Sequence, residues 1–347
     1  MKYRLGLVVF SLVLSLLIGL TLRRGSGPAS GATGPHRPVI GFSMDSLKEE
    51  RWQHDREMFT ARVTELGADV SVQSANSDDV RQLKDVEALI SNRVDVLVII
   101  PHDGAAMAKA VRMAHDAGIP VLSYDRLITG CDLDLYVAFD NLRVGELQAQ
   151  YLVDTFHGRK FRVVRIYGAK TDHNAFMFKE GQDRVLAPLI ANGTVEVVHE
   201  DWTDDWRPEN AKKITNAAIT KVGKNFDAVL ASNDGTAGGA IQALLEEGLA
   251  GQIVVTGQDA DLSACQRIAR GTQAMTIYKP LKVLTRTAAE LAVRLARHQP
   301  VIARDEIDNG QVKVPAVLLT VVTVTKDNLE STVIADGLLT HDAVFPK

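Results

Sequence analysis

The amino-acid sequence predicts an α/β protein made of two similar lobes, each built on a doubly wound parallel sheet. Apolar, strand-like segments alternate with amphipathic helical segments through most of the chain, as they do in successive βαβ units. This alternation runs to about residue 139 and then restarts as a second series of the same kind. The length of 347 residues is sufficient for two domains of ordinary size.

The first series contains strands that are almost entirely apolar, of which Val94 to Ile100 is the clearest. Such runs are typical of strands buried on both faces of a parallel sheet. Gly67 and Gly118 directly follow two of the helical segments, in the position where glycine commonly ends a helix. The predicted strands are 39–43, 69–73, 94–100, 119–124 and 135–139, and the predicted helices are 51–66, 79–92 and 105–117.

The second series shows the same alternation of strands and helices, and it is followed by a C-terminal region that contains both helices and strands. Its predicted helices are 144–155, 174–191, 208–221 and 236–246, and its predicted strands are 161–166, 194–199, 227–231 and 252–256. A helix at 261–269, a strand at 274–278 and a long helix at 280–297 come next. The β-branched tail at 317–324 is predicted to be a further strand.

The N-terminal segment differs from the rest of the chain. Lys2 and Arg4 precede an uncharged aliphatic run from Leu5 to Leu22, which is typical of a secretory signal but also approaches the length of a membrane span. We therefore expect residues 1–31 to be a signal peptide or an N-terminal membrane anchor, and residues 32–38 to be a linker. The body would then lie outside the cytoplasmic membrane, tethered by residues 5–22 if that segment is retained.

Composition and motifs argue against several functional classes. The formal net charge is -4, and no basic cluster follows residue 24, which argues against nucleic-acid binding. The GxGxxG, GxxxxGK(S/T), HExxH and GxSxG motifs of common enzymes are absent from the sequence. Cys131 and Cys265 lie in separate segments without metal-binding spacing. We therefore expect two unpaired cysteines, no metal and no other cofactor.

Polar residues stand at the ends of three apolar strands. Asp125 and Arg126 follow one strand, Asn233 follows another, and Asp259 follows a third. Open α/β sheets bind small ligands at the carboxyl ends of their strands. Asp234 is expected to cap the next helix, which would leave Asn233 for the ligand. Because ionised Asp only accepts hydrogen bonds and Arg only donates them, the mixture favours a neutral ligand rich in hydroxyl groups.

Aromatic and basic residues complete the predicted site. Arg51 and Trp52 stand at the start of the first helix, after the first strand. Trp206 lies in a charged loop just before a helix start, where its ring could stack on the apolar face of a sugar. Lys279 lies between a strand and a helix, and by itself it would be an ordinary solvated lysine.

Long segments between Val39 and Gly337 also carry a family resemblance. They include Glu50-Arg-Trp-Gln-His-Asp-Arg56, Tyr124-Asp-Arg126, Ala231-Ser-Asn-Asp234, Gly257-Gln-Asp-Ala-Asp-Leu262 and Tyr278-Lys-Pro280. In these segments the chain resembles the periplasmic sugar-binding proteins of bacterial ABC importers, and in particular the branch that binds D-xylose.

The resemblance implies a type I periplasmic binding protein fold, in which three hinge crossings join the lobes and the sugar lies between them. Crossings are expected near Asp140, near Lys279 and near residues 308–310. The N-terminal lobe would comprise residues 39–140 plus 279–309, and the C-terminal lobe residues 141–278 plus 310–347.

The resemblance also implies a function and a set of sugar contacts. The protein would be a periplasmic monomer that binds D-xylose or a related monosaccharide, without transforming it, and delivers it to the membrane subunits of an ABC transporter. A membrane-tethered sugar sensor and a binding protein for ribose, arabinose or glucose are the alternatives. The positions that match the family's sugar contacts are Arg51, Asp125, Arg126, Asn174, Trp206, Asn233, Asp259 and Lys279, to which the residue-level argument adds Trp52.

Overall fold

The computed structural model describes residues 37–346. The expected signal peptide or anchor, and nearly all of the expected linker, lie outside the described residues. Within residues 37–346, no helix combines the length and the apolar character of a membrane span. Cys131 and Cys265 are both buried and unpaired, as the sequence predicted.

The order of strands and helices follows the predicted alternation closely. The strands are β1 (Val39–Met44), β2 (Asp69–Ser74), β3 (Val96–Ile99), β4 (Val121–Tyr124), β5 (Leu135–Phe139), β6 (Phe161–Tyr167), β7 (Val195–Trp202), β8 (Ala228–Ala231), β9 (Val254–Val255), β10 (Thr276–Tyr278), β11 (Asp305–Asp308), β12 (Lys313–Leu319) and β13 (Val322–Val324). The helices are α1 (Glu50–Glu65), α2 (Asp79–Ser91), α3 (Ala108–Asp116), α4 (Asn141–Phe156), α5 (His173–Ala191), α6 (Pro208–Val222), α7 (Asp234–Glu246), α8 (Leu262–Arg270), α9 (Leu281–Ala296) and α10 (His341–Val344).

The larger sheet has seven strands in the order β11-β12-β5-β4-β3-β1-β2, and all neighbours are parallel except β11 and β12. Successive residues of β3 point to opposite faces. Val96 and Val98 pack into one apolar core with α1 and α9, whereas Leu97 and Ile99 pack into a second core with α2 and α3. Helices therefore cover both faces, and we call this sheet with its helices the N-terminal lobe.

The smaller sheet has four parallel strands in the order β7-β6-β8-β9. Val163 of β6 packs with α4 and α5 on one face. Its neighbour Val164 packs with α6 and α7 on the other face. Strands β10 and β13 form a separate antiparallel pair. We call the four-stranded sheet, its helices and this pair the C-terminal lobe, so the prediction of two doubly wound lobes is confirmed.

The chain passes between the lobes three times. It leaves β5 and enters α4 at Asp140, and it leaves β10 and enters α9 at Lys279 and Pro280. The third passage lies between Leu319, which pairs with β5 in the larger sheet, and Val322, which pairs with β10. These three passages form the hinge.

The expected position of the third crossing, near residues 308–310, is wrong. Asn309 and Gly310 instead form the turn of the β11–β12 hairpin, which extends the larger sheet. The Asn309 amide donates to the Val312 carbonyl at 3.2 Å, and Gly310 has a φ of 87°. Glycine at the first central position of a tight turn is a hairpin signal because glycine tolerates positive φ. Residues 313–319 therefore belong to the N-terminal lobe rather than to the C-terminal lobe.

Candidate functional site

A small cavity lies between the two lobes, at the carboxyl ends of several strands. A wider, open cleft adjoins it and shares Glu49, Arg126 and Trp206 with its lining. The structure brings all nine residues predicted from the sequence to this one cavity: Arg51, Trp52, Asp125, Arg126, Asn174, Trp206, Asn233, Asp259 and Lys279. Four further lining residues were missed by sequence reasoning, namely Glu49, Asp172, Phe178 and Gln258.

Arg51 is the centre of a buried ion cluster that joins the lobes. Its guanidinium hydrogen-bonds Asp125 of the N-terminal lobe and lies 3.2 Å from Oδ1 of Asp259 of the C-terminal lobe. The Lys279 Nζ lies 3.3 Å from the same Asp259 oxygen. Burial alone would raise the pKa of Asp125, but Arg51 and Lys279 outweigh it and hold that pKa below its ordinary value. Asp125 is therefore an ionised, acceptor-only group at neutral pH.

The backbone at the strand ends directs these carboxylates into the cavity. Asp125 directly follows β4 and has a φ of 61°, while Asp259 has a φ of 99°. Asp adopts positive φ more readily than most residues. The Asp125 amide donates to the Val137 carbonyl and the Asp259 amide to the Ile277 carbonyl, both at 2.8 Å. Each turn is thus fixed by a neighbouring strand, and the carboxylate positions are built into the sheets.

Asp55 supports Arg51 from within the N-terminal lobe. It lies one helical turn after Arg51 in α1, with its Oδ2 3.4 Å from the Arg51 Nε. The Tyr124 hydroxyl donates a hydrogen bond to its other oxygen. Asp55 is fully buried, and this burial raises its pKa to about 6, although Arg51 opposes the rise.

The raised pKa makes a pH-dependent contribution to stability. Because the native pKa of Asp55 lies above the ordinary 3.8, the native state holds this proton more tightly, and stability is lost as the pH rises through about 6. Between pH 4 and pH 7 the unmodified protein should lose roughly 2–3 kcal/mol of unfolding free energy through Asp55. The variant Asp55→Asn should not show this loss, so its unfolding free energy should rise by that amount relative to the unmodified protein. Denaturant unfolding across this range would measure it, and a difference independent of pH would contradict it.

Asp172 organises the opposite wall of the cavity. Its Oδ2 lies 3.1 Å from the Arg126 Nε and accepts a hydrogen bond from the Trp206 Nε1 at 3.2 Å. Its Oδ1 caps α5 by accepting from the Asn174 amide at 2.9 Å. The sequence signal that could have identified Asp172 is an N-cap carboxylate two residues before Asn174. A single side chain thus orients three of the predicted site residues.

Arg126 and Asn174 make further contacts that reach across the cavity. Arg126 belongs to the N-terminal lobe, where its Nη1 lies 2.9 Å from Asp45, so its pairing with Asp172 links the lobes. Asn174 belongs to the C-terminal lobe, and its Nδ2 donates to the Asp125 main-chain carbonyl at 3.0 Å. The Tyr136 hydroxyl donates to the same Asp125 carbonyl at 2.8 Å and lies 3.3 Å from the Asn174 Oδ1. The contacts of Arg126 and Asn174 therefore join the two lobes, in addition to the contacts of the Arg51 cluster.

Trp52 and Trp206 provide the aromatic surfaces of the cavity. Trp52 is 2% exposed, and the guanidinium carbons of Arg51 and Arg126 lie 4.5 Å and 5.3 Å from its ring centroid, within cation–π range. Trp206 is half-buried and lies against the backbone at Gly168, where a Cβ atom would come within 2.0 Å of its ring. Only glycine at position 168 leaves the Trp206 ring in this position.

Asn233, rather than Asp234, caps the helix that follows them, and this differs from the prediction. Asn233 itself caps α7, because its Oδ1 accepts from the Thr236 amide at 2.9 Å in a capping box. Asp234 lies in the first turn and accepts from Gln273 at 2.7 Å and from Thr276 at 2.9 Å. Threonine three residues after Asn233 makes asparagine the better cap. The Asn233 amide nitrogen still lines the cavity and has no partner among the described residues.

Gln258 contributes a buried acceptor that sequence reasoning did not identify. It is 2% exposed, and its Nε2 donates to the Ser232 carbonyl at 3.3 Å. Its Oε1 has no hydrogen-bond partner within residues 37–346. A buried amide oxygen without a partner costs free energy, so a ligand hydroxyl at this point would be stabilising.

The chemistry of the lining is that of a binding site. Fixed acceptors, fixed donors and two indole rings line a small cavity. Among the described residues that line the cavity, none is a serine, cysteine or histidine that would act as a nucleophile or a proton carrier. Such a wall can hydrogen-bond every hydroxyl of a small polyol from both sides.

Known proteins share this fold and much of this sequence. A family model described as a periplasmic binding protein domain matches residues 40–300. The D-xylose-binding periplasmic protein of Haemophilus influenzae is 47% identical over 306 residues, which cover 88% of this chain and 92% of that protein. Its namesake from Escherichia coli is 48% identical over 298 residues, covering 86% and 90%. A carbohydrate transporter solute binding protein from Chloroflexus aurantiacus, solved with D-glucose, has a TM-score of 0.83 at 35% identity, covering 89% of this chain and 98% of that one.

Two doubly wound lobes with a polar cavity between them define a two-lobed solute-binding protein. The chain belongs to the family of periplasmic binding proteins, and its fold is the type I fold of that family. The resemblance read from the sequence segments is thereby confirmed. The family is one of solute-binding proteins rather than enzymes, so the prediction that the chain is not an enzyme is confirmed as well.

Proposed function

We propose that the protein binds D-xylose in the cavity between its lobes and delivers it to the membrane subunits of an ABC importer. One observation carries the proposal: the nine residues predicted to contact the sugar converge on a single cavity between the lobes. The identity of 47% and 48% to two proteins named for D-xylose binding supports this choice of sugar.

The charges of the cavity suit a neutral sugar with several hydroxyl groups. Each hydroxyl can both donate and accept a hydrogen bond. It can therefore donate to Asp125 or Asp259 and accept from Arg51, Arg126 or Lys279. Hydrogen bonds to charged groups contribute roughly 1.5–3 kcal/mol each. A sugar of the wrong stereochemistry leaves part of the hydrogen-bonding capacity of such a buried group unused, and specificity follows from that cost.

Closure of the lobes accounts for tight binding and for signalling to the importer. The sugar would be contacted from both lobes only when they are closed, so it stabilises the closed arrangement. Direct contacts between the lobes add to this stability. The Gly104 amide of the N-terminal lobe donates to the Thr171 carbonyl of the C-terminal lobe at 3.1 Å, beside the Arg126–Asp172 pair. The membrane subunits would then recognise the closed surface.

We also propose that the mature protein is a periplasmic monomer. Both relatives named for D-xylose binding are periplasmic by name, and the uncharged run at residues 5–22 fits an export signal. Mass measurement of the protein purified from the periplasmic fraction would show whether residues 1–31 are removed. Recovery of the full-length chain in the membrane fraction would instead support the tethered sensor.

A thermal-shift panel of D-xylose, L-arabinose, D-ribose and D-glucose tests the proposed ligand. D-glucose is the second candidate, because the Chloroflexus aurantiacus structure contains it. A ligand at a hundred times its Kd adds about 2.7 kcal/mol of stability, so we expect D-xylose to raise the unfolding midpoint by about 5 °C. A rise with D-glucose and none with D-xylose would replace the proposed ligand, and no rise with any sugar would contradict sugar binding.

Gly168 is expected to control the position of the Trp206 ring. In Gly168→Ala the new Cβ atom overlaps the ring, so the indole must leave the wall of the cavity. We expect the affinity for D-xylose to fall by about tenfold, the scale of one lost aromatic contact, as in Trp206→Ala. Titration calorimetry would measure the loss.

Trp202 offers a matched control for this change. It belongs to the same segment but packs on Tyr167 and Phe176, at centroid distances of 5.0 Å and 4.6 Å, and it does not line the cavity. Trp202→Ala should leave the affinity within about twofold. An equal loss in Trp202→Ala would show that the effect is general rather than specific to the cavity.

A further inference from the structure

Glu49 stands apart from the other charged side chains that line the cavity. The six others are paired with one another or with nearby carboxylates: Arg51, Asp125, Arg126, Asp172, Asp259 and Lys279. The Glu49 carboxyl has no hydrogen-bond or ion-pair partner among residues 37–346. The cavity wall therefore contains one acid whose carboxyl makes no hydrogen bond with residues 37–346.

The position of Glu49 places its carboxyl at the outer end of the cavity. It is the last residue before α1, and its main-chain carbonyl accepts from the Trp52 amide at 3.2 Å, while its side chain makes no capping bond. Glu49 is half-buried and lines both the cavity and the open cleft. The side chain therefore makes no hydrogen bond to the start of the helix, and it lies where the cavity meets the open cleft.

The surroundings of Glu49 make an unpaired carboxyl unfavourable there. Burial raises its pKa, Arg126 opposes that rise, and Asp259 adds to it. Arg126 is already engaged by Asp45 and Asp172, at 2.9 Å and 3.1 Å. A partly desolvated carboxyl that lacks a partner costs free energy, and a ligand hydroxyl at the cleft end of the cavity would remove that cost.

We propose that Glu49 is a further sugar-binding residue, and that its carboxyl hydrogen-bonds the hydroxyl of the bound sugar nearest the open cleft. This inference rests on the proposed binding of D-xylose. It assigns to the N-terminal lobe a specificity contact in addition to Arg51, Asp125 and Arg126. Because the contact lies at the cleft end of the cavity, Glu49 would bind the part of the sugar that faces the open cleft.

Titration calorimetry with D-xylose tests the contact through Glu49→Ala, with Glu57→Ala as the control. Glu57 lies on α1, has a 65% exposed side chain and is absent from the cavity lining. We expect Glu49→Ala to lose about tenfold in affinity, the scale of one charged hydrogen bond, and Glu57→Ala to stay within about twofold. Glu49→Gln, which keeps the shape and an acceptor oxygen, should fall between the unmodified protein and Glu49→Ala.

The monodeoxy analogues of D-xylose identify the hydroxyl concerned. For the analogue that lacks it, the unmodified protein and Glu49→Ala should bind equally well, whereas the loss should persist for the other analogues. Unchanged affinity in Glu49→Ala, or an equal loss for every analogue, would overturn the contact while leaving D-xylose binding intact. Failure of the unmodified protein to bind D-xylose would overturn the proposed function and, with it, this contact.

Discussion

Replacing Arg51 by methionine is expected to abolish measurable closure around D-xylose and to destabilise the protein. Arg51 is the shared partner of Asp55, Asp125 and Asp259, and its loss leaves these buried carboxylates without their main cation. Breaking a buried ion pair on one side costs about 3–5 kcal/mol. We expect the affinity to fall at least about hundredfold, since the variant loses both a donor to the sugar and a link between the lobes.

The pH dependence of this defect distinguishes it from a simple packing loss. In Arg51→Met the freed carboxylates should take up protons more readily, so the loss of unfolding free energy should shrink as the pH falls from 8 to 5. Arg56→Met is the matched control on the same helix, because Arg56 pairs with the exposed side chain of Glu57 at 3.5 Å. A similar loss of stability and affinity in both variants would contradict the role given to Arg51.

Replacing Asp125 by alanine is the second change with a large expected effect. It removes an ionised acceptor from the cavity and the hydrogen-bonded partner of Arg51. We expect the affinity for D-xylose to fall by at least about tenfold, the scale of one charged hydrogen bond, and Asp259→Ala to show a comparable loss. Titration calorimetry gives both values directly.

A second substitution separates the lost charge from backbone strain. Asp125 has a φ of 61°, which alanine tolerates less well than asparagine. Asp125→Asn keeps the backbone conformation but removes the charge, so it should still lose at least about tenfold. Asp116→Ala, at an exposed position on α3, should bind normally. Unchanged affinity in Asp125→Asn would remove this carboxylate from the set of sugar contacts.

Local chemistry explains why the strand ends of the site were predictable. Asp125, Asn233 and Asp259 each follow a short apolar run, and the carboxyl ends of parallel strands meet at one edge of a sheet. Asn174 had no such local signal and entered through the family resemblance. Asp172 and Gln258 were missed because their importance lies in partners distant in the chain, such as Arg126 for Asp172.

The C-terminal region shows where local patterns fail. Six of the eight residues in the run 317–324 are β-branched, and the run was predicted to be one strand. The structure divides it, with Leu319 in the larger sheet and Val322 paired with β10 of the other lobe. A strand propensity states that residues extend, but not which neighbour they pair with, so the third hinge crossing could not be placed from it.

The sequence alone determined the two-lobed α/β class, the order of its elements and the kinds of groups at the strand ends, because apolar periodicity and turn residues act over short distances. Only the tertiary structure decided how those groups combine. It decided that Arg51 would meet Asp259 across the lobes, that Asn233 rather than Asp234 would cap its helix, and that Glu49 would face the cavity unpaired. These outcomes depend on contacts between segments far apart in the chain, whose geometry is set by the packing of the lobes around the hinge.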